Sequence, residues 1–203
     1  MCPAGEHTLQ EITTQDEAWR AAYDATRSRR DDLLKLWRDN RGLPLVFIGC
    51  GSTHCLAKCT ATLFQTVTGS ACRAAPSSEL YFHPESIAAP GDLPLIVALS
   101  RSGETSETVQ AVAKMTAGGS DCIAVTCHAE SRLAGAATAT IAIPEAQEES
   151  FAQTRSFAAM LVATQTLAAL AAGDRQMLDD LGKLPSLGRD ILARAEGVAE
   201  AVA

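Results

Sequence analysis

The sequence predicts an α/β fold: a three-layer αβα sandwich around a five-stranded, parallel, doubly wound sheet, with extra helices at both ends. Three observations carry this expectation. The short apolar runs are continuous rather than alternating, as in strands covered on both faces. Segments with helical spacing separate them, which calls for parallel strands joined by right-handed crossovers. The composition also suits helices packed on a sheet, since 47% of the 203 residues are hydrophobic, 20% charged and only 4% aromatic.

Residues 1–42 read as a helical lead-in, with Trp19, Tyr23, Leu33, Leu34 and Trp37 as its spaced apolar positions. Arg41, Gly42, Leu43 and Pro44 break it. Strands are expected at 45–49, near 71–75, and at 95–99, 122–127 and 140–143. After the first run, Leu56, Thr60, Leu63, Phe64 and Val67 share one helical face. After the third, Val109, Val112, Ala113 and Thr116 do so. Two long helical segments, roughly 146–172 and 174–203, complete the chain. The stretch 156–173 carries no charge and approaches the length of a membrane span. Its Ala, Thr, Gln and Ser content reads instead as a buried core helix, so no membrane partner is expected. The domain plan is thus a lead-in (1–42), a ligand-binding domain (43–173) and a C-terminal helix (174–203).

A net charge of −7 argues against nucleic acid as the main partner, because backbone-phosphate binding draws on a basic surface. A small phosphorylated ligand remains open, since a few backbone N–H groups can hold one phosphate. The first twenty residues lack the apolar core of a secretory signal; Glu6, Glu11, Asp16 and Glu17 interrupt them. The expectation is a cytoplasmic protein whose seven cysteines stay reduced. Cys50, Cys55 and Cys59 lie close in sequence and Cys127 precedes His128, but the paired spacing of a metal site is missing. Cys50 and Cys127 read as small buried hydrophobes at strand ends. No metal and no cofactor is expected.

In an open parallel sheet, ligands bind at the carboxyl ends of the strands, near the switch in strand order. Two loops carry chemistry there. The first is Gly49, Cys50, Gly51, Ser52, Thr53 and His54, where the glycines allow a tight turn and the next residues offer hydroxyls and N–H groups. It lacks the third glycine of a dinucleotide fingerprint, and a plain helix cap is its alternative reading. The second runs from Leu99 through Ser100, Arg101, Ser102, Gly103, Glu104 and Thr105 to Thr108, with five hydroxyl residues in nine positions. A helix start leaves N–H groups unpaired and carries partial positive charge, so it accepts an anion. Capping needs one such residue. Several point to a phosphate.

This Ser-Arg-Ser-Gly-Glu-Thr-Ser-Glu-Thr run, with the Cys-Gly-Ser-Thr loop ahead of it, closely resembles the sugar isomerase (SIS) domain family. The segment from Glu148 and Glu149 through Phe151, Gln153 and Thr154 to Phe157 resembles the stretch that opens the family's late helix. Two branches are similar: the tagatose-6-phosphate ketose/aldose isomerase (galactosamine-6-phosphate deaminase/isomerase) group, and the isomerase half of glucosamine-6-phosphate synthase. The opening Thr8, Leu9, Gln10, Glu11, Ile12 looks more like the first. The resemblance implies a flavodoxin-like sheet and an amino-sugar 6-phosphate ligand. It places phosphate contacts on Ser100, Ser102 and Thr105, with Gly51, Ser52 and Thr53 helping and Arg101 lining the same pocket. Phe151 and Gln153 stand where relatives carry smaller residues.

Relatives in both branches carry two such domains, the second supplying catalytic Glu, His and Lys. Moving a proton between C1 and C2 needs a base and an acid over the substrate. Within this chain the candidates are Glu79, Glu148 and His54, while Glu104 and Glu107 suit a helix start. Cys2 is not expected to act as a glutaminase nucleophile, since no such domain follows it. The expectation is therefore the phosphosugar-binding half of an isomerase or deaminase, partnered by a second SIS domain. The alternatives are a non-catalytic phosphosugar-binding regulatory module and a stand-alone domain that completes its site across a homodimer.

Overall fold

The computed structural model describes residues 5–89, 91–195 and 197 of the chain; Cys2 and the last residues of the expected C-terminal helix lie outside them. Five parallel strands, β1 (Leu45–Gly49), β2 (Cys72–Pro76), β3 (Leu95–Leu99), β4 (Cys122–Thr126) and β5 (Ala139–Ala142), form one sheet in the order β2-β1-β3-β4-β5. All four pairings are parallel, Leu45 standing opposite both Cys72 and Leu95. The strand order turns between β1 and β3, because the chain first steps outward to β2 and then crosses back. That turn fixes where a ligand crevice can open.

Successive side chains of a strand face opposite layers. Leu45, Phe47, Leu95, Val97, Leu99, Ile123 and Val125 face one layer. It is built from α2 (Gln15–Ser28), α3 (Arg30–Asp39), α4 (Ser52–Thr68), α8 (Arg155–Ala172) and α9 (Arg175–Leu192). Val46, Ile48, Ile96, Ala98, Cys122 and Ala124 face the other. There α5 (Ser77–Phe82), α6 (Ser106–Ala117) and α7 (Arg132–Ala136) cover the sheet. Both faces of β1, β3 and β4 are buried, which explains their continuous apolar runs. The weaker run at β2 belongs to an edge strand whose residues are mostly half-exposed.

Helix α8 is long and apolar enough to cross a membrane, yet 61% of it is buried within this fold. Ala18, Ala22 and Leu33 of the lead-in and Leu181 of α9 belong to the same buried cluster as the sheet, and Tyr23 donates to the Leu178 carbonyl at 3.1 Å.

Three expectations need correction. The break in the helical lead-in expected only at 41–44 comes earlier as well: α1 (Glu6–Thr13), α2 and α3 are separated at Thr14 and Arg29. The Thr13 and Thr14 hydroxyls bond back to the carbonyls of Leu9 and Gln10, a competition with the helix backbone that ends α1. The late helix begins at Arg155 rather than near 146, because polar groups of 147–154 find side-chain partners elsewhere. Among the described residues α9 ends at Leu192, where the Arg194 N–H bonds to the Ile191 carbonyl and tightens the last turn.

Candidate functional site

Strand β1 ends at Gly49, where a side chain is impossible: a Cβ there would lie 2.5 Å from the Thr53 carbonyl carbon. The chain turns through Gly51 into α4. The Thr53 hydroxyl donates to the Cys50 carbonyl at 2.9 Å and accepts the Cys50 N–H at 3.0 Å. Thr53 is thus buried as the staple of its own loop, while Gly51 and Ser52 are exposed.

Strand β3 ends at Leu99, and a second turn follows. Ser100, 2% exposed, accepts the Gly103 N–H at 3.1 Å and shares a hydrogen bond with the Thr105 hydroxyl at 3.2 Å. The Ser102 hydroxyl accepts the Glu104 N–H at 3.1 Å. Gly103 adopts φ +65°, and a Cβ on it would meet Ser131 Oγ at 2.1 Å. Thr105 is the N-cap of α6, without a side-chain bond to the helix. The hydroxyl residues therefore precede the helix rather than open it, and Ser100, Ser102 and Thr105 gather within one turn. Glu104 accepts the Arg132 N–H at 2.9 Å and so serves α7.

The two loops meet over a buried polar floor. Cys50 Sγ lies 3.6 Å from the Thr108 hydroxyl, which lies 2.9 Å from that of Ser77. Ser77 and Thr108 are fully buried. Cys50 is half-buried rather than the small buried hydrophobe expected, with its thiol against the Thr108 hydroxyl. Ser77 was missed in the sequence; it follows the one strand whose apolar pattern is broken.

Arg101 does not join the hydroxyl cluster. Its Nη1 donates to the Ser150 carbonyl at 3.0 Å and lies 3.5 Å from Glu148 Oε2. Glu148 has a fully buried carboxylate. It accepts the Thr154 N–H and hydroxyl at 2.6 and 2.7 Å, the Ser156 N–H at 3.2 Å, and the Ser156 hydroxyl. It caps α8, and its hydrogen bonds are made to the residues that start that helix. Glu79 is exposed on α5 and accepts from the Ser86 hydroxyl at 3.2 Å. His54 is half-buried in the first turn of α4, and its buried Nδ1 has no hydrogen-bond partner.

Beside the β3 turn lies an open cleft of about 500 Å³, with Ser102 and Glu104 on one side and Cys127, His128, Glu130 and Ser131 on the other. Of the expected site residues only Ser102 lines it. Burial pushes the Cys127 thiol up to about 12, so it stays protonated and inert at neutral pH. Among the described residues no group of three or more His, Cys, Asp or Glu side chains is placed to hold a metal ion.

No curated protein matches the sequence. Among solved structures, tagatose-6-phosphate ketose/aldose isomerase from Escherichia coli is similar at 20% identity and TM-score 0.77, covering all of this chain and 55% of that one. The C-terminal domain of glucosamine-fructose-6-phosphate aminotransferase from Francisella tularensis is similar at 18% identity and TM-score 0.75, over 98% of this chain and 57% of that one. The protein c3406 of Escherichia coli CFT073 is similar at 23% identity and TM-score 0.69, over 88% of this chain and 98% of that one. At these identities the likeness is one of fold, and the chain spans about half the length of the first two. The SIS domain family matches over residues 43–170, from the break before β1 almost to the end of α8. With that match covering more than half of its length, the chain belongs to the SIS domain family.

Proposed function

We propose that this chain is the phosphosugar-binding domain of an aldose–ketose isomerase or deaminase acting on a galactosamine- or glucosamine-6-phosphate type of amino sugar. One observation carries the reading. Three hydroxyl residues, Ser100, Ser102 and Thr105, gather ahead of the twelve-residue helix α6, at the strand-order switch. Phosphate oxygens accept hydrogen bonds. A turn of hydroxyls and N–H groups at the positive end of a helix supplies them without fixed cations. The fold likeness to a tagatose-6-phosphate ketose/aldose isomerase and to a domain of a glucosamine-fructose-6-phosphate aminotransferase supports the same class.

Binding phosphate holds substrate and transition state about equally, so it does not by itself accelerate the reaction. The proton must move between C1 and C2, and Glu148, the most enclosed candidate, is committed to α8. This supports acid and base groups from a second SIS domain beyond α9, or from the partner in a homodimer. The fold likeness to c3406, which this chain spans almost end to end, favours a stand-alone domain as a second reading. The six described cysteines are unbridged, in keeping with a reducing cytoplasm. The test is an assay of ketose formation and ammonia release from galactosamine 6-phosphate and glucosamine 6-phosphate. Turnover of either supports the proposal; binding without turnover under all conditions supports a regulatory module instead.

A further inference from the structure

Arg101 stands between two hydroxyl residues of the β3 turn, yet its guanidinium leaves that turn for the segment before α8. It donates to the Ser150 carbonyl at 3.0 Å and lies 3.5 Å from the enclosed Glu148 carboxylate. Its charge is therefore matched within the protein and is not a free counter-ion for a ligand. The segment is gripped from a second side as well. Glu11 of α1 accepts the N–H groups of Glu149 and Ser150 at 2.7 and 3.0 Å, and the Thr8 and Ser150 hydroxyls are 2.8 Å apart. The amide N–H, carbonyl and hydroxyl of Ser150 are thus all engaged, by two elements far apart in sequence. The next residue, Phe151, is 99% exposed. Folding gains nothing from an aromatic ring left open on so firmly anchored a backbone.

We propose that Arg101 is a positioning residue that couples the turn 100–105 to the segment 149–151, so that an anion held by the turn fixes where Phe151 stands. This rests on the phosphate reading of that turn. The Arg101 backbone is itself fixed on β4, its carbonyl accepting the Cys127 N–H at 3.0 Å and the Thr126 hydroxyl at 3.2 Å. An anion bonded to Ser100 and Ser102 on either side holds the turn from which the Arg101 side chain departs. The restraint passes through the guanidinium to the Ser150 carbonyl.

Chymotrypsin cuts after exposed phenylalanine, so cleavage after Phe151, assigned by mass spectrometry, reports how firmly the segment is held. Inorganic phosphate and glucosamine 6-phosphate are the two probes, and calorimetry measures their binding separately. The expected result is that each probe slows the cut at least about fivefold in the parent chain. R101A loses that protection at probe concentrations that calorimetry shows to be saturating. If R101A does not fold, R101K takes its place. A single ammonium cannot reproduce the guanidinium fork between Ser150 and Glu148, so protection falls at least about twofold. If neither probe binds the parent chain, the phosphate reading fails and the coupling fails with it. If the probes bind and protect the variant as well as the parent, the phosphate reading stands and the role of Arg101 is overturned.

Discussion

The Glu148 carboxylate holds Thr154 by both its N–H and its hydroxyl, at 2.6 and 2.7 Å, and so starts helix α8. A glutamine there keeps the shape but places donors against donors. Glu148→Gln is expected to cost about 1.5–3 kcal/mol, as for hydrogen bonds to a charged group. For a chain of this size that is a fall in Tm of roughly 4–10 °C. Thermal unfolding followed by circular dichroism checks it; an unchanged Tm with abolished turnover would return Glu148 to the list of catalytic bases.

Gly103→Ala is expected to disrupt the turn that carries Ser100 and Ser102. The residue sits at φ +65°, and the added Cβ would collide with the Ser131 hydroxyl at 2.1 Å. Strain of this kind costs about 1–3 kcal/mol before any repacking. Loss of phosphosugar binding together with a lowered Tm is the expected pair of results, and retention of both would mean the turn is not built as described.

Glu11 gives a pH dependence. Burial raises its pKa, but hydrogen bonds from Ser150 and Glu149, with the charge of Arg155, outweigh it and hold the carboxyl below its ordinary 4.5. A folded-state pKa below the unfolded one means stability that is present above about pH 4.5 and lost as pH falls through the lowered value. The parent chain is therefore expected to exceed Glu11→Gln in stability by roughly 1–3 kcal/mol at pH 7. That gap narrows below the ordinary carboxylate range. Urea unfolding at pH 7 and at pH 3.5 measures both, and a gap that is constant or widens in acid contradicts the assignment.

Local pattern made much of this molecule legible. Continuous apolar runs and helical spacing marked the strands within a residue or two, because β1, β3 and β4 are buried on both faces. The hydroxyl-rich turn was visible because Ser100, Ser102 and Thr105 are neighbours in sequence. Partnerships across long separations were not. Nothing near Glu148 in sequence distinguishes a cap from a base until Thr154 and Ser156 fold back on it. The family resemblance put Arg101 in the pocket, with no local sign of where its guanidinium goes. The carbonyl it donates to, that of Ser150, is 49 residues away. Glu11 carries no local sign of burial, since its ligands are the backbone N–H groups of Glu149 and Ser150.

Ser102 is the expected phosphate contact that both stays half-exposed and lines the open cleft, so it can be removed with little damage to the core. Calorimetric titration of the parent chain and of Ser102→Ala with glucosamine 6-phosphate and with glucosamine addresses the phosphate reading. The parent chain is expected to bind the phosphorylated sugar and not the free one. Ser102→Ala is expected to lose about 1.5–3 kcal/mol of that binding, or about ten- to a hundred-fold in affinity, with unfolding still cooperative. Equal affinity of the parent for both sugars, or an affinity for glucosamine 6-phosphate untouched in Ser102→Ala, would contradict the placement of the phosphate at this turn.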